Sequence, residues 1–305
     1  MKISTLISDG KWFKGNTHCH TSLSDGRWSP GEVAKLYRDN GYSFLFISDH
    51  RWFGVHDELS SDDFLVIPSM ESDVSDPDSA HHCFHIVGGF DPGANRMPYS
   101  AGPKAMPEWA GTGAAQIIID DLAEHGNLSI LAHPVWSRND LSEIKALKGL
   151  TGMEIYNNVC EYEWHNGNSV LYWDLLWKEG FRIWGLASDD THDPATHALG
   201  GWIVVKAEDL SVKSIMKSLR NGSFYSSTGP EIYDFYVENN MAYLDCSEVA
   251  AIHFMTYDDL GRSFRATPGD SLTSAHHQLT GREKFVRAEI HDKDGRIAWS
   301  NPIEI

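Results

Sequence analysis

The 305-residue sequence predicts an α/β unit with a parallel sheet or barrel, followed by a small all-β unit. Three observations carry this. Short apolar runs alternate with helix-like stretches as far as Ser227. Polar, chemistry-bearing residues follow those runs one after another: His20, His50, Glu71, His133, Asp190 and His192. That is where barrels and open α/β sheets place their sites. Past Ser226-Ser227-Thr228-Gly229-Pro230 the texture changes to alternating runs (IYDFYVE, MAYLDC, AIHFMTY, KFVRAEIHD) separated by Asn239-Asn240, Asp258-Asp259 and Asp294-Gly295. This pattern is that of an antiparallel sandwich. The expected division is therefore 1–228 and 229–305.

Taken in order, Lys11 to His20 reads as a strand. Ser29 caps a helix with Pro30 in its first turn, and Gly41 stops it. Tyr42 to Ser48 is an apolar run suited to a buried parallel strand and ends in Asp49-His50. Phe64 to Met70 is a strand ending in Glu71, and the segment from His85 to Gly88 is another. Asp91 to Gly113 is rich in Pro and Gly and reads as a long loop over the mouth of a site. Helices are expected over 114–126, 141–149, 169–180 and 211–222, with Ser211 as an N-cap. Strands are expected over 128–132, 152–156, 181–187 and 202–206.

The formal net charge of −18 disfavours a nucleic acid polymer as partner, because binding a polyanion needs a basic surface. It is compatible with a small phosphate ester, since bound divalent cations reverse the sign locally. Cys19, Cys83, Cys160 and Cys246 are scattered without a CxxC and read as free thiols of a reducing compartment. The N-terminal stretch lacks the apolar run of a signal peptide, and no segment reaches transmembrane length. The expected location is cytoplasmic, or periplasmic or secreted if a leader has been removed.

The stretch Gly15 to Gly26, GNTHCHTSLSDG, organises the chain. On an extended strand His18 and His20 point to one side and Cys19 to the other, where it packs against the back. Asp25 sits in a Ser/Asp/Gly turn that can bring a carboxylate toward the two imidazoles. The remaining candidate ligands are His50, Glu71, His85, His133, Asp190 and His192. A mixture of imidazole and carboxylate suits Mn, Fe or Zn better than calcium. Nine groups exceed the needs of one ion, so two or three divalent metal ions are expected. Clustered metals activate water and clamp attacking and leaving oxygens, which is the chemistry of phosphoester hydrolysis.

These motifs resemble the PHP (polymerase and histidinol phosphatase) superfamily. The matching elements are THCH (His18, His20), Ser24-Asp25-Gly26, Asp49-His50, Glu71, the HIVG at His85, Ala132-His133-Pro134 and the Asp190-Thr191-His192 triplet, in the family's order over roughly residues 12–227. The resemblance implies a distorted (β/α)7 barrel with a trinuclear centre at its mouth. It implies one ion on His18, His20, Glu71 and Asp190, a second on Glu71, His85 and His133, and a third on Asp25, His50 and His192. A metal-bridging water or hydroxide would be the nucleophile. The organisation is similar to stand-alone metal-dependent phosphoesterases carrying a C-terminal β domain. His81 and His82 compete with His85, which is chosen because IVGG follows it; Asp189 competes with Asp190, which is chosen for its spacing to His192.

Catalytic roles are expected for His192, Asp25 and Arg138, the last as a contact to substrate phosphate, with Arg51 a similar candidate. His197, Tyr156 and Asn157 are candidates to line the pocket, and one or two of the tryptophans to stack on a base or an aromatic leaving group. The expected function is hydrolysis of a small phosphorylated substrate. The alternatives are hydrolysis of a carboxylic or carbamate ester on the same site, which a Trp-rich, Arg/Lys-poor pocket would favour, and a metal-binding module whose β domain binds carbohydrate or protein.

Overall fold

The structure, a computed structural model, describes residues 2–91, 101–256 and 261–305. Its core strands are β1 (Lys11–Asn16), β2 (Phe44–Ile47), β3 (Leu65–Ser75), β4 (Cys83–Gly89), β5 (Leu128–Leu131), β6 (Gly152–Asn157), β7 (Trp184–Ser188), β8 (Trp202–Ala207) and β9 (Phe224–Ser227). The helices are α1 (Pro30–Asp39), α2 (Thr112–Glu124), α3 (Leu141–Ala146), α4 (Asn158–Trp164), α5 (Val170–Lys178), α6 (Pro194–His197) and α7 (Val212–Arg220). The C-terminal strands are β10 (Ile232–Glu238), β11 (Met241–Val249), β12 (Ala251–Thr256), β13 (Arg262–Arg265), β14 (Leu272–Gln278), β15 (Phe285–His291), β16 (Ile297–Ser300) and β17 (Ile303–Glu304).

The core strands run in the order β7-β6-β5-β4-β3-β2-β1-β8-β9. The sheet is mixed rather than all-parallel. β1, β2 and β3 are parallel to one another, as are β5, β6 and β7, but β4 runs against both its neighbours and β8 against both of its own. The reason is connection length: β3 and β4 are joined by the short turn 76–82, which can only return the chain antiparallel. Strands therefore outnumber helices more heavily than a strict β/α repeat would have it. The two ends of the run approach each other, β7 lying against β8 and β9. No backbone ladder joins β7 to them. Instead Ser226 Oγ donates to the Gly185 carbonyl and accepts from Ala187 N–H, both at 2.9 Å, and Asn301 Oδ1 accepts Gly185 N–H at 3.1 Å.

The helical starts follow their local chemistry. Ser29 and Glu32 form a capping box ahead of Pro30, and Ser211 accepts the N–H of Ser214. On β2, Phe44 and Phe46 face the core shared with Ile67, Val87 and Ile203, while Leu45 and Ile47 pack against Val33, Ala34 and Tyr37 of α1. Of the expected loop 91–113, residues 92–100 lie outside the described residues; Gly102–Pro103 pairs with Trp52–Phe53. The four cysteines are buried and unpaired. Among the described residues no helix is long and apolar enough to cross a membrane.

The C-terminal strands form two facing layers. Lys2–Ile3, β10, β11 and β14 make a four-stranded antiparallel sheet. β16, β15, β12 and β13 continue the core sheet outward from β9. Phe235, Leu244, Phe254, Val286 and Ile290 fill the space between the layers.

One ion cluster fastens this region to the helices. Arg287 on β15 is wholly buried, donates twice to Asp174 of α5 at 2.7 Å and once to Glu289 at 2.9 Å, and lies over Trp173. Removing the guanidinium takes the cation from between Asp174 and Glu289, so Arg287→Met should cost about 3 kcal/mol in urea denaturation. The acid limb of stability is set in part here. Burial works to raise the Glu289 pKa, but the hydrogen bond from His291 and the Arg287 guanidinium outweigh it and hold the carboxyl at about 2. A depressed folded pKa contributes stability that is full above the unfolded value and is lost as pH falls toward 2. Glu289→Gln should therefore flatten the loss of stability measured between about pH 4.5 and 2.

Candidate metal centre

The nine candidate ligands converge at one end of the core strands. His18 and His20 follow β1 in extended conformation, and Cys19 between them bridges to Thr191 and packs with Tyr37 on the opposite side. The alternation expected from the HxH spacing is the one observed. The turn carrying Asp25 is folded tightly under the preceding backbone: a Cβ on Gly26 would lie 2.5 Å from the His20 carbonyl. Only glycine fits there. Asp49 fixes the same turn by accepting from Thr21 N–H, Thr21 Oγ1 and Ser24 Oγ, each at 2.7 Å.

Glu71 lies within β3, fully buried, and is the hub. Its Oε1 is 2.9 Å from His85 Nδ1, 3.3 Å from His18 Nε2 and 3.5 Å from His133 Nε2. Its Oε2 is 3.1 Å from His50 Nδ1 and 3.3 Å from His20 Nε2. Asp190 Oδ1 lies 3.2 Å from His18 Nε2 and 3.1 Å from His20 Nε2. Asp25 Oδ2 is 3.5 Å from His192 Nε2 and 3.7 Å from His50 Nε2. Ligand atoms fall into four overlapping groups: His20, Asp25, His50 and His192; His18, Glu71 and His133; His18, His20 and Asp190; and His50, Glu71 and His85. The partition differs from the expected one in detail, since His20 also joins the Asp25 group and His85 sits with His50.

The chemistry of this donor set fits divalent cations. Four of its buried atoms, His20 Nδ1, His50 Nδ1, Glu71 Oε2 and Asp190 Oδ1, have no hydrogen-bond partner among the described residues. Unsatisfied buried polar atoms are costly and rare. Two imidazole nitrogens, His18 Nε2 and His20 Nε2, face each other at 3.1 Å. Donors at about 2.1 Å from a shared tetrahedral cation stand roughly 3.4 Å apart, which is the spacing seen through the cluster.

The electrostatics agree. Burial opposes charge on every group here, yet Glu71 and Asp190 are driven well below the usual carboxylate range by the surrounding histidines. His18 and His85 are driven well above the usual imidazole range by the carboxylates, against burial, and His192 is raised to about 9 by Asp25 and Asp190. The site is a focus of negative charge that stabilises cations. Backbone strain concentrates here too: His133 has φ +27° and Asp190 φ +54°.

Glu154 of β6, a residue that the motifs do not mark, orients two of the candidate ligands. Its Oε1 meets His18 Nδ1 at 2.8 Å and accepts from Ser188 Oγ, while Oε2 accepts His133 N–H at 2.9 Å and Asn157 Nδ2 at 2.7 Å. Asn157 also donates to Asp190 Oδ2. His133 Nδ1 is held by Ser137 Oγ, leaving Nε2 for the cluster. The one readable signal was a lone glutamate inside the apolar run GMEIY.

Rivals for two positions separate cleanly. His81 is exposed and His82 pairs with Asp76 and Glu143, while His85 reaches Glu71. Asp189 accepts from Tyr37 and from the backbone of Leu199, Gly200 and Gly201, and burial raises its pKa to about 6; Asp190 faces the cluster. Arg138 is exposed, donates to the Val135 carbonyl and does not line the cavity. Arg51 is tied to Asp73. A cavity of about 430 Å³ opens over the cluster, walled on the far side by Trp136, Glu163, Trp164 and His197.

The whole chain shares its fold with a two-domain protein of Bacteroides vulgatus described as containing a predicted PHP-like metal-dependent phosphoesterase. The two are 14% identical, superpose with a TM-score of 0.50, and each is covered over 98% of its length. A Chromobacterium violaceum protein described as an amidohydrolase, solved with sulfate and no metal, matches 60% of this chain and 89% of its own at 16% identity and TM-score 0.42. A candidate metal-dependent phosphoesterase of Bifidobacterium adolescentis matches 61% of this chain and 89% of its own at the same identity and TM-score, 16% and 0.42. No family model and no curated protein matches the chain.

If Glu154 fixes His18 and His133 as ligands, Glu154→Gln should lower divalent-metal affinity by about 10–100-fold. Calorimetric titration with Mn²⁺ and Zn²⁺ checks this, and unchanged affinity in a folded variant would sink the assignment.

Proposed function

We propose that the protein is a metal-dependent hydrolase acting as a phosphoesterase on a small phosphorylated molecule. The observation that carries the reading is the convergence of six histidines and three carboxylates, with four buried atoms that lack a hydrogen-bond partner among the described residues. His18, His20, Glu71 and Asp190 would hold one ion; Glu71, His85 and His133 a second; and Asp25, His50 and His192 a third, with Mn, Fe or Zn suited to the donors. In this reading the core strands are a distorted barrel, and the division near residue 228 separates catalysis from the β unit.

When bound, the ions supply charge stabilisation and water activation at neutral pH. The protein's own residues prepare for that. Glu154 and Ser137 fix which nitrogen of His18 and His133 faces the cluster. The Asp190 carbonyl fixes His192 through Nδ1, so that Nε2 faces Asp25. Asp25 and His192 are the most solvent-open members of the set and give a proton its way in and out. Anion recognition falls to the cluster itself, since no lysine or arginine among the described residues lines the cavity.

That last feature also favours a second reading, hydrolysis of an uncharged carboxylic or carbamate ester. p-Nitrophenyl phosphate, its phosphodiester counterpart and p-nitrophenyl acetate, tested in Mn²⁺, separate the two. The expected outcome is phosphoester turnover, with kcat/KM falling about a thousandfold in His18→Ala and Asp190→Asn. Turnover of the acetate alone would replace the first reading by the second.

A further inference from the structure

The cavity has two unlike walls. One is the histidine–carboxylate cluster. The other comes from α4, α6 and the loop after β5, and of its members Trp136 rests on candidate ligands, edge-on to His85 and His133. Trp136 stands edge-on to His133 with ring centroids 4.9 Å apart, and Trp164 tilts against Trp136 at 5.8 Å. Trp164 ends α4, where His165 turns the chain through the left-handed region, and it is 55% exposed. An open indole resting on a second indole at a cavity rim offers a flat apolar surface that another ring can cover.

The charge on this wall is specific as well. Glu163 adds a carboxylate outside the ligand cluster. Asp193 N–H donates to His197 Nδ1 at 3.1 Å, so Nε2 carries the hydrogen and donates to Glu163 Oε1 at 3.2 Å. The carboxylate is thereby held at the wall with no lysine or arginine among the cavity-lining described residues to neutralise it. A second anion on a substrate would meet this carboxylate with no lysine or arginine of the lining between them, which is a device for rejection.

We propose that this wall is a leaving-group subsite for an aromatic alcohol portion that carries no negative charge of its own. The inference rests on the phosphoesterase reading, with the phosphoryl end against the cluster. Trp136 and Trp164 supply the preference for a ring, and Glu163 excludes the anion. They act on the portion that departs, not on the bond that breaks.

Two matched pairs of esters test it in Mn²⁺. Benzyl against cyclohexylmethyl phosphate varies the ring; phenyl against 4-carboxyphenyl phosphate varies the charge. The wild type should favour benzyl and phenyl, each by about tenfold in kcat/KM. Trp164→Ala should erase the first preference through KM, and Glu163→Gln the second. Equal use of both members of each pair, or an equal loss on all four esters in the variants, overturns the subsite. Calorimetric binding of the benzyl, cyclohexylmethyl and 4-carboxybenzyl phosphonates, which are not cleaved, reads the subsite apart from the reaction. The same ranking in binding without ester turnover would uphold the wall and remove the phosphoesterase reading; no ranking in either would remove the wall.

Discussion

Everything at this site depends on one carboxylate that has no solvent. Glu71 is buried at the centre of the cluster, and both of its oxygens lie within ion-pair reach of imidazoles brought in by four other strands or strand ends. A lone ionised carboxylate there would cost several kcal/mol. Its burial is tolerable only because the backbone delivers the histidines to it. Glu71 N–H donates to Ser48 O at 3.1 Å and its carbonyl accepts from Arg51 at 2.8 Å, so the segment carrying His50 is stitched to the residue it serves. The strand is among the longest of the core and links the β1–β2 side to the β4–β5 side.

Much of this was legible from residue spacing. The alternation at His18-Cys19-His20 put two imidazoles on one face before any coordinates, and capping signals at Ser29 and Ser211 placed helices correctly. The rule that site residues follow strand C-termini worked for His20, His50, His133, Asp190 and His192 because those strands are parallel. Glu71, expected to follow its strand, lies inside β3, which runs on to Ser75, and the rule does not cover His85, which lies near the start of β4. That strand runs backward, so its beginning, not its end, lies at the mouth; Asp73 and His85 are paired across the hairpin. Strand direction is a property of the 76–82 turn and of pairing partners, neither of which hydrophobic period reports.

Other parts were not legible for equally physical reasons. Glu154 sits in an apolar run as a single charge, and only the fold shows that it meets His18, His133 and Asn157 at once. The short α4 follows β6 directly; its sequence NVCEYEW has no strong helical period, yet it builds the cavity's outer wall. Arg138, plausible by its nearness to His133 in sequence, is exposed and donates to the Val135 carbonyl.

The seam between β7 and β9 bears on how the molecule comes into being. Ser226 and Asn301 close the gap with side chains, and β1 pairs with β8 across nearly 190 residues. Contacts so distant in sequence pay their loop entropy before any return and form late in folding. Asp190 and His192 leave β7 on that same seam, while His18 and His20 leave β1. The His18, His20 and Asp190 group thus meets only when β1 and β7 have been brought together, whereas His50, Glu71 and His85 come from strands that are neighbours in the chain. Occupancy of the His18, His20 and Asp190 group by a cation would then report closure of that seam, making the ion a lock on the finished fold rather than a seed for it.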